Sequence, residues 1–331
     1  MQVLLLAVSF AMILGGALVF TNAIEWVGRR LDMGQGAVGS LLAAVGTAMP
    51  ETLIPIVAIV GGTQGSEDVA IGAIIGAPFL LATLAMMLVG VSALGFNSRR
   101  PQGAKLEAHA PTLERDLRFF VIFFAIGILL GIGAPEGLQI PIAVLFLLAY
   151  GWYVRRTLRE SGEVQEAEEI GSLYFDRSPG IEPPRWTLIA QLVVGLAGIV
   201  GGAHLFVEEL INVADSIGIE PLILSLVLAP LATELPEKVN SFIWVREGKD
   251  ALALGNITGA MVFQSTIPVA FGLAFTEWDL DSYAFLSGGL GIAGGLLAYY
   301  ALSHGRRFKM VEVAIWGLFY AIFLGYVIIA A

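Results

Sequence analysis

Two stretches decide the reading of this chain: Gly46-Thr47-Ala48-Met49-Pro50-Glu51 and Ala232-Thr233-Glu234-Leu235-Pro236-Glu237. Thr, Pro and Glu recur in both at the same spacing, 186 residues apart. Each stretch sits inside a long apolar run, where a charged side chain costs roughly 2.5–3.5 kcal/mol at a helix centre. Two glutamates at matched positions in such runs point to function. Each follows a proline, which removes a backbone donor and frees the carbonyl one turn earlier. Those carbonyls belong to Gly46 and Ala232. Thr47 and Thr233 share a helix face with Glu51 and Glu237, by their i, i+4 spacing. Each stretch thus offers a carboxylate, a hydroxyl and a freed carbonyl. An all-oxygen set of this kind suits hard cations such as Ca²⁺, Na⁺ or Mg²⁺.

The match extends outward. At the same offset Gly15-Gly16 aligns with Gly201-Gly202 and Phe20 with Phe206. Further on, Gly72, Gly76 and Ala77 align with Gly255, Gly259 and Ala260 at an offset of 183. The chain is therefore an internal repeat. Its 331 residues are 57% hydrophobic and only 14% charged, with a mean hydropathy of +0.81. Soluble domains carry about 25% charged residues, so a polytopic membrane protein is the class that remains. Ten runs are long enough to span a bilayer: 2–20, 36–61, 69–94, 117–133, 138–154, 186–207, 221–245, 251–275, 283–302 and 311–330. The first is read as a retained helix, because no basic residue precedes it and no cleavage site follows.

Charge distribution sets the topology. Seventeen of the 18 Lys and Arg residues fall in alternate loops, and the remaining one, Lys238, lies within a span. By the positive-inside rule those loops are cytoplasmic and both termini are outside, as in a prokaryotic plasma membrane. Five spans per half is an odd number, so the second half enters the membrane inverted. The expected fold is an all-α integral membrane protein of ten transmembrane helices in two inverted five-helix repeats. Residues 1–157 form the first repeat, 158–185 a cytoplasmic linker and 186–331 the second repeat. Inverted repeats are typical of secondary transporters, with the substrate site near the midplane where the repeats meet.

Other classes are excluded or disfavoured. The net charge of −10 repels nucleic acid. No cysteine is present, which removes thiol chemistry and Cys-ligated metals, and no HExxH or GxSxG motif appears. The chain is read as no enzyme and as needing no cofactor beyond the transported cations. Its partners are the lipid bilayer and those cations. The sequence leaves protein partners open, and a monomer is compatible with it. A cation sensor on the same fold, binding without exchange, is the alternative from another class.

Further residues complete the candidate site. Glu234 pairs with Lys238 at i, i+4 or serves as a third cation ligand or proton carrier. Gln264, one turn beyond Ala260, is a site ligand or a packing hydrogen bond. Gly255, Asn256 and Gly259 are expected to unwind the start of the eighth helix. Trp278, between Glu277 and Asp279, reads as an interface anchor.

At these residues the sequence resembles the calcium/cation antiporter superfamily, and within it the prokaryotic sodium/calcium exchangers. Both Pro-Glu stretches match the family's GTSLPE-like motif. Gly255-Asn256-Ile257-Thr258-Gly259-Ala260 matches its second motif in part. The resemblance implies that Glu51 and Glu237 are central calcium ligands with Thr47 and Thr233 beside them. It also implies alternating access driven by the first and sixth helices sliding past the rest. The family's serine after the threonine is Ala48 in one repeat and Glu234 in the other. The serine of the second motif is Ala77 and Ala260, and the later Asn or Asp ligand is Leu81 and Gln264. Sodium oxygens are thus fewer than the family pattern has. The expected function is a secondary active antiporter exchanging Ca²⁺, or another divalent cation, against Na⁺, with proton coupling as the alternative.

The topology is open to direct test, because the wild-type chain carries no thiol. A membrane-impermeant maleimide is expected to label Gln64→Cys in right-side-out vesicles and Gln165→Cys only in inverted ones. Labelling of both from one side would overturn the assignment.

Overall fold

The structure is a computed structural model. It describes residues 1–30, 48–106, 110–133, 137–160, 172–176, 182–304 and 308–330. Among the described residues there are thirteen α-helices and one π-helical turn. They are α1 (Gln2–Arg30), α2 (Met49–Gly61), α3 (Ser66–Leu80), α4 (Met86–Gly95), α5 (Ala110–Leu130), α6 (Gln139–Glu160) and α7 (Arg185–Ile217). There follow α8 (Pro221–Thr233), α9 (Leu235–Arg246), α10 (Asp250–Gln264), α11 (Ile267–Phe275), α12 (Ser282–His304) and α13 (Met310–Ala330). They fall into the ten expected spans. α3 and α4 make the third through the π turn Leu81–Ala85, α8 and α9 the seventh, and α10 and α11 the eighth.

Several boundaries differ from the apolar runs. α1 continues to Arg30 and α7 to Ile217, about three turns past the runs read at 2–20 and 186–207. In both, a polar stretch is amphipathic enough to carry the helix out of the hydrocarbon. α7 stops where Gly218 adopts φ +72° and donates back to the carbonyls of Ala214 and Asp215, a glycine-terminated helix end. Of the second span only α2 is described; residues 36–47 of that run lie outside the described set.

Three spans are interrupted, and proline marks each place. Pro78 lies in α3 just before the π turn. Pro236 sits in the first turn of α9 and Pro268 in that of α11. The eighth span is not unwound at Gly255–Gly259, where α10 is continuous. Its break falls instead at Ser265–Thr266, ahead of Pro268, and the Thr266 hydroxyl donates to Val262 O at 2.8 Å. Proline removes a donor that glycine retains, yet Pro55 and Pro230 lie inside continuous helices, so a missing donor permits an interruption without dictating it.

α1 and α7 lie antiparallel, backbone against backbone. A Cβ on Gly16 would stand 2.7 Å from Ile199 N and 2.8 Å from Gly195 O. One on Gly195 would meet Phe20 N at 2.7 Å, and one on Gly202 would meet Ile13 N at 2.9 Å. The register runs in opposite directions, so the equivalent first helices of the two repeats are inverted with respect to each other. Near the C-terminal end of α1 the Gln191 amide donates to Asn22 Oδ1 at 2.8 Å and Val19 O at 2.9 Å. Residues 172–176 of the central linker dock there: Tyr174 N donates to Asn22 Oδ1 at 3.1 Å, and Phe175 N to Gln191 Oε1 at 2.9 Å.

α3 and α8 cross in the same close manner but in parallel. Gly72 abuts Leu222 and Ser225, Gly76 abuts Leu226 and Pro230, and the Ser225 hydroxyl donates to Val69 O at 2.7 Å. The main apolar core joins α3, α5, α10, α12 and α13. A second one joins α1, α2, α3, α7 and α8 through Ile13, Ile54, Val57, Val69 and Phe206. Trp278, expected at the membrane interface, is instead 2% exposed and donates its indole N–H to Gly127 O at 2.9 Å. Its indole fills the space over Gly272, so burial with one satisfied donor outweighs the flanking acids that suggested a surface position.

The glycine seam yields a controlled test. Gly16→Ala and Gly195→Ala place a methyl into backbone and are expected to destabilise by about 1–3 kcal/mol. Gly15→Ala meets nothing within 4 Å and is expected to be neutral or stabilising. Thermal unfolding in detergent measures all three.

Candidate cation site

The two Pro-Glu stretches occupy equivalent local structures. α2 opens at Met49, with Pro50 and Glu51 in its first turn. α9 opens at Leu235, with Pro236 at its start and Glu237 next. Both glutamates therefore sit at the beginning of a half-helix. This follows from the sequence: proline needs no partner for its missing N–H in a first turn, where the donors are unbonded anyway. The carbonyl of Ala232 receives nothing from Pro236, as expected from chemistry alone. α8 ends at the joint residue Glu234, whose N–H bonds Pro230 O at 2.8 Å.

Glu51 is 7% exposed. It lines a small cavity with Ile54 of α2, Ala73 and Ala77 of α3, and Ala229, Pro230 and Thr233 of α8. The cavity is about 10 Å³, room for one occupant the size of a water. A carboxylate from the first repeat and a threonine from the second thus face one space. Thr233 is buried, and its hydroxyl donates to Ala229 O at 3.2 Å, which leaves its oxygen lone pairs for another partner. On the α3 side the wall is methyl groups: Ala73 and Ala77 supply no oxygen. Leu81, also buried, is the first residue of the π turn.

Glu234 and Gln264 meet beside this cavity. Gln264 Nε2 donates to Glu234 Oε1 at 3.1 Å, and Lys238 Nζ lies 3.1 Å from Glu234 Oε2. Glu234 and Lys238 are each 1% exposed. The structure therefore brings together Glu51 with Thr233, and Glu234 with Gln264 and Lys238. Thr47 and the Glu237 side chain lie outside the described residues. Among the described residues no group of three His, Asp or Glu side chains converges as a metal centre.

The sequence reading missed one buried network next to this region. Asp116, near the N-terminal end of α5, accepts from Thr258 Oγ1 of α10 at 3.0 Å and from the Tyr153 hydroxyl of α6 at 2.9 Å. Arg115 donates to it at 3.0 Å. Three helices are tied at the point where the second motif passes. Asp116 stands next to Arg115 in sequence, and that adjacency reads as an ordinary surface pair. The available signal was Thr258, a hydroxyl within an otherwise apolar stretch.

Comparison with known proteins bears on the same arrangement. The family described as sodium/calcium exchanger protein matches residues 1–158 and 187–329. The inner membrane protein YrbG of Escherichia coli (strain K12) is 25% identical over 254 residues, 75% of this chain and 72% of that protein. The solved H⁺/Ca²⁺ exchanger CAX superposes with a TM-score of 0.76 at 21% identity, over 98% of this chain and 82% of its own. The solved sodium-calcium exchanger NCX_Mj does so at 0.60 and 19% identity, over 98% of both chains. At these identities the solved structures speak to the fold. With paired half-helices, an inverted repeat and a family match over most of its length, this chain belongs to the sodium/calcium exchanger family of membrane transporters.

Proposed function

We propose that the protein is a secondary active antiporter that exchanges Ca²⁺, or another divalent cation, against Na⁺ by alternating access. The observation that carries this reading is the shared cavity: Glu51 from one repeat and Thr233 from the other face the same water-sized space. Glu51, Glu237, Thr47 and Thr233 are the proposed ligands. Glu234 and Gln264 complete or tune the site. Carboxylate, hydroxyl and freed carbonyl oxygens replace the hydration shell of a hard cation. Residues 1–157 and 186–331 act as the two five-helix repeats around a cytoplasmic linker, 158–185, with both termini outside.

For exchange, the loaded site must permit the switch between outward and inward states and the empty site must not. The apolar stretch around the site supports this: an empty pair of carboxylates in a low-dielectric interior is costly to carry through a closed state. Ala77 and Leu81 favour a second reading for the counter-ion, because a wall without oxygens is poor at holding Na⁺. In that reading H⁺ drives the divalent cation. The names of the two solved neighbours, H⁺/Ca²⁺ exchanger and sodium-calcium exchanger, span both options.

Proteoliposomes loaded with Ca²⁺ test the proposal. Efflux is expected to respond to an imposed Na⁺ gradient, or to a pH gradient in the second reading. Glu51→Gln is expected to lower that response at least about a hundredfold, by removing one of the two central charges. Undiminished flux in Glu51→Gln would sink the site assignment, and Ca²⁺ binding without flux in the wild type would favour a sensor.

A further inference from the structure

The antiport reading leaves Lys238 without a role. It lies deep within the run 221–245, it is 1% exposed, and its Nζ lies 3.1 Å from Glu234 Oε2. A buried ammonium is expensive unless a counter-charge meets it, and Glu234 meets it one helical turn away. The other oxygen of the same carboxylate accepts from Gln264 at 3.1 Å. One Glu234 oxygen thus accepts a hydrogen bond from the protein, and the other faces the ammonium as an ion pair.

The place is built for a cation. Glu234 stands at the joint between α8 and α9, directly after the cavity-lining Thr233. The negative end of the α8 dipole points at this joint. Pro236 leaves the Ala232 carbonyl without its usual donor. The positive end of α9 faces the same joint, so it is the Glu234 carboxylate that makes the seat for positive charge, and the ammonium of Lys238 takes it.

We propose that Lys238 is a tethered cation that fills, at Glu234, the seat of a free monovalent cation, so that Glu234 is closed to transported ions. The inference rests on the antiport reading, and it makes Lys238 a determinant of ion number and selectivity. The wild-type protein keeps a permanent positive charge where a relative with no lysine there would need an ion from solution. Replacing Lys238 by a neutral residue opens the seat to a small monovalent cation, with Na⁺ as the probe.

Two measurements test this on Lys238→Gln and on the double variant Glu234→Gln/Lys238→Gln. The first is thermal stability in detergent at constant ionic strength, with NaCl replacing choline chloride. Lys238→Gln is expected to gain a Na⁺-dependent stabilisation whose half-saturating concentration lies at least about tenfold below any wild-type response. The double variant is expected to lose that gain. A Lys238→Gln protein that does not survive extraction in choline is expected to survive in Na⁺; failure of Na⁺ to rescue it overturns the proposal. So does an unchanged Na⁺ response, or a gain that persists in the double variant. The second measurement is the number of charges moved per Ca²⁺ in liposomes, expected to shift by one counter-charge in Lys238→Gln; equality with wild type overturns the proposal. The stability measurement needs no transport. Absent wild-type exchange with an intact Na⁺ effect in Lys238→Gln therefore marks failure of the antiport reading alone, leaving the cation seat in place.

Discussion

A proline in the middle of a membrane span leaves one carbonyl without its donor, and the bilayer supplies no water to replace it. Pro50 and Pro236 impose this constraint at matched positions of the two repeats, and Pro55, Pro78, Pro230 and Pro268 add others. An irregular backbone at that depth has to be wrapped in protein. α3 and α8 therefore cross with backbone contact at Gly72 and Gly76, closing over the joint that follows α8. Glu51, directly after Pro50, adds a buried carboxylate to the start of α2. One cavity serves both repeats because the inverted relation brings the end of α8 beside the start of α2.

Much of this was legible in the chain itself. Membrane class, span count, the repeat and its inversion follow from long apolar runs and from the alternation of basic loops, signals that depend on solvation rather than on packing. Glu51 and Thr233 are legible for the same reason: polar atoms in hydrocarbon declare themselves. Packing decides what the sequence does not show. Arg100 reads as a marker of the cytoplasmic side, yet it forms a 2.6 Å ion pair with Asp250 in which both side chains are fully buried. Trp278 reads as an interface residue, yet its indole fills the space over Gly272. The bonding partners, Asp250 for Arg100 and Gly127 for the Trp278 indole, are each about 150 residues away, out of reach of spacing arguments. The interruption of the eighth span at Ser265 instead of Gly255 is a subtler lesson. Small residues do not by themselves unwind a helix: α10 runs on through Gly255 and Gly259.

Directional bonds are unevenly distributed over the fold. On one side, Arg100 with Asp250 and Gln102 anchors the inner loop to the start of α10, and Asp116 ties α5, α6 and α10 together. These are buried ion pairs and charge-assisted hydrogen bonds, the kind that hold one geometry. The candidate site lies between this bonded block and the α1/α7 pair. Its wall on the α3 side carries only methyl groups, so the chemistry of the site comes from residues at the helix joints.

The seam between α1 and α7 has a mechanical consequence. Within the pair, glycine contacts bring backbone onto backbone, and Asn22 and Gln191 are bonded to each other and to residues 172–176. Toward α2 and α3 the pair presents Phe206, Val207 and Leu210 to Ile54, Val57 and Val69. Hydrogen bonds yield in discrete steps, whereas apolar side chains exchange neighbours along a surface at little loss. The plane of least resistance thus runs around the pair and not through it. α1 and α7 are held together as one pair, and residues 172–176 are bonded to both through Asn22 and Gln191, so a pull on that segment reaches both helices at once.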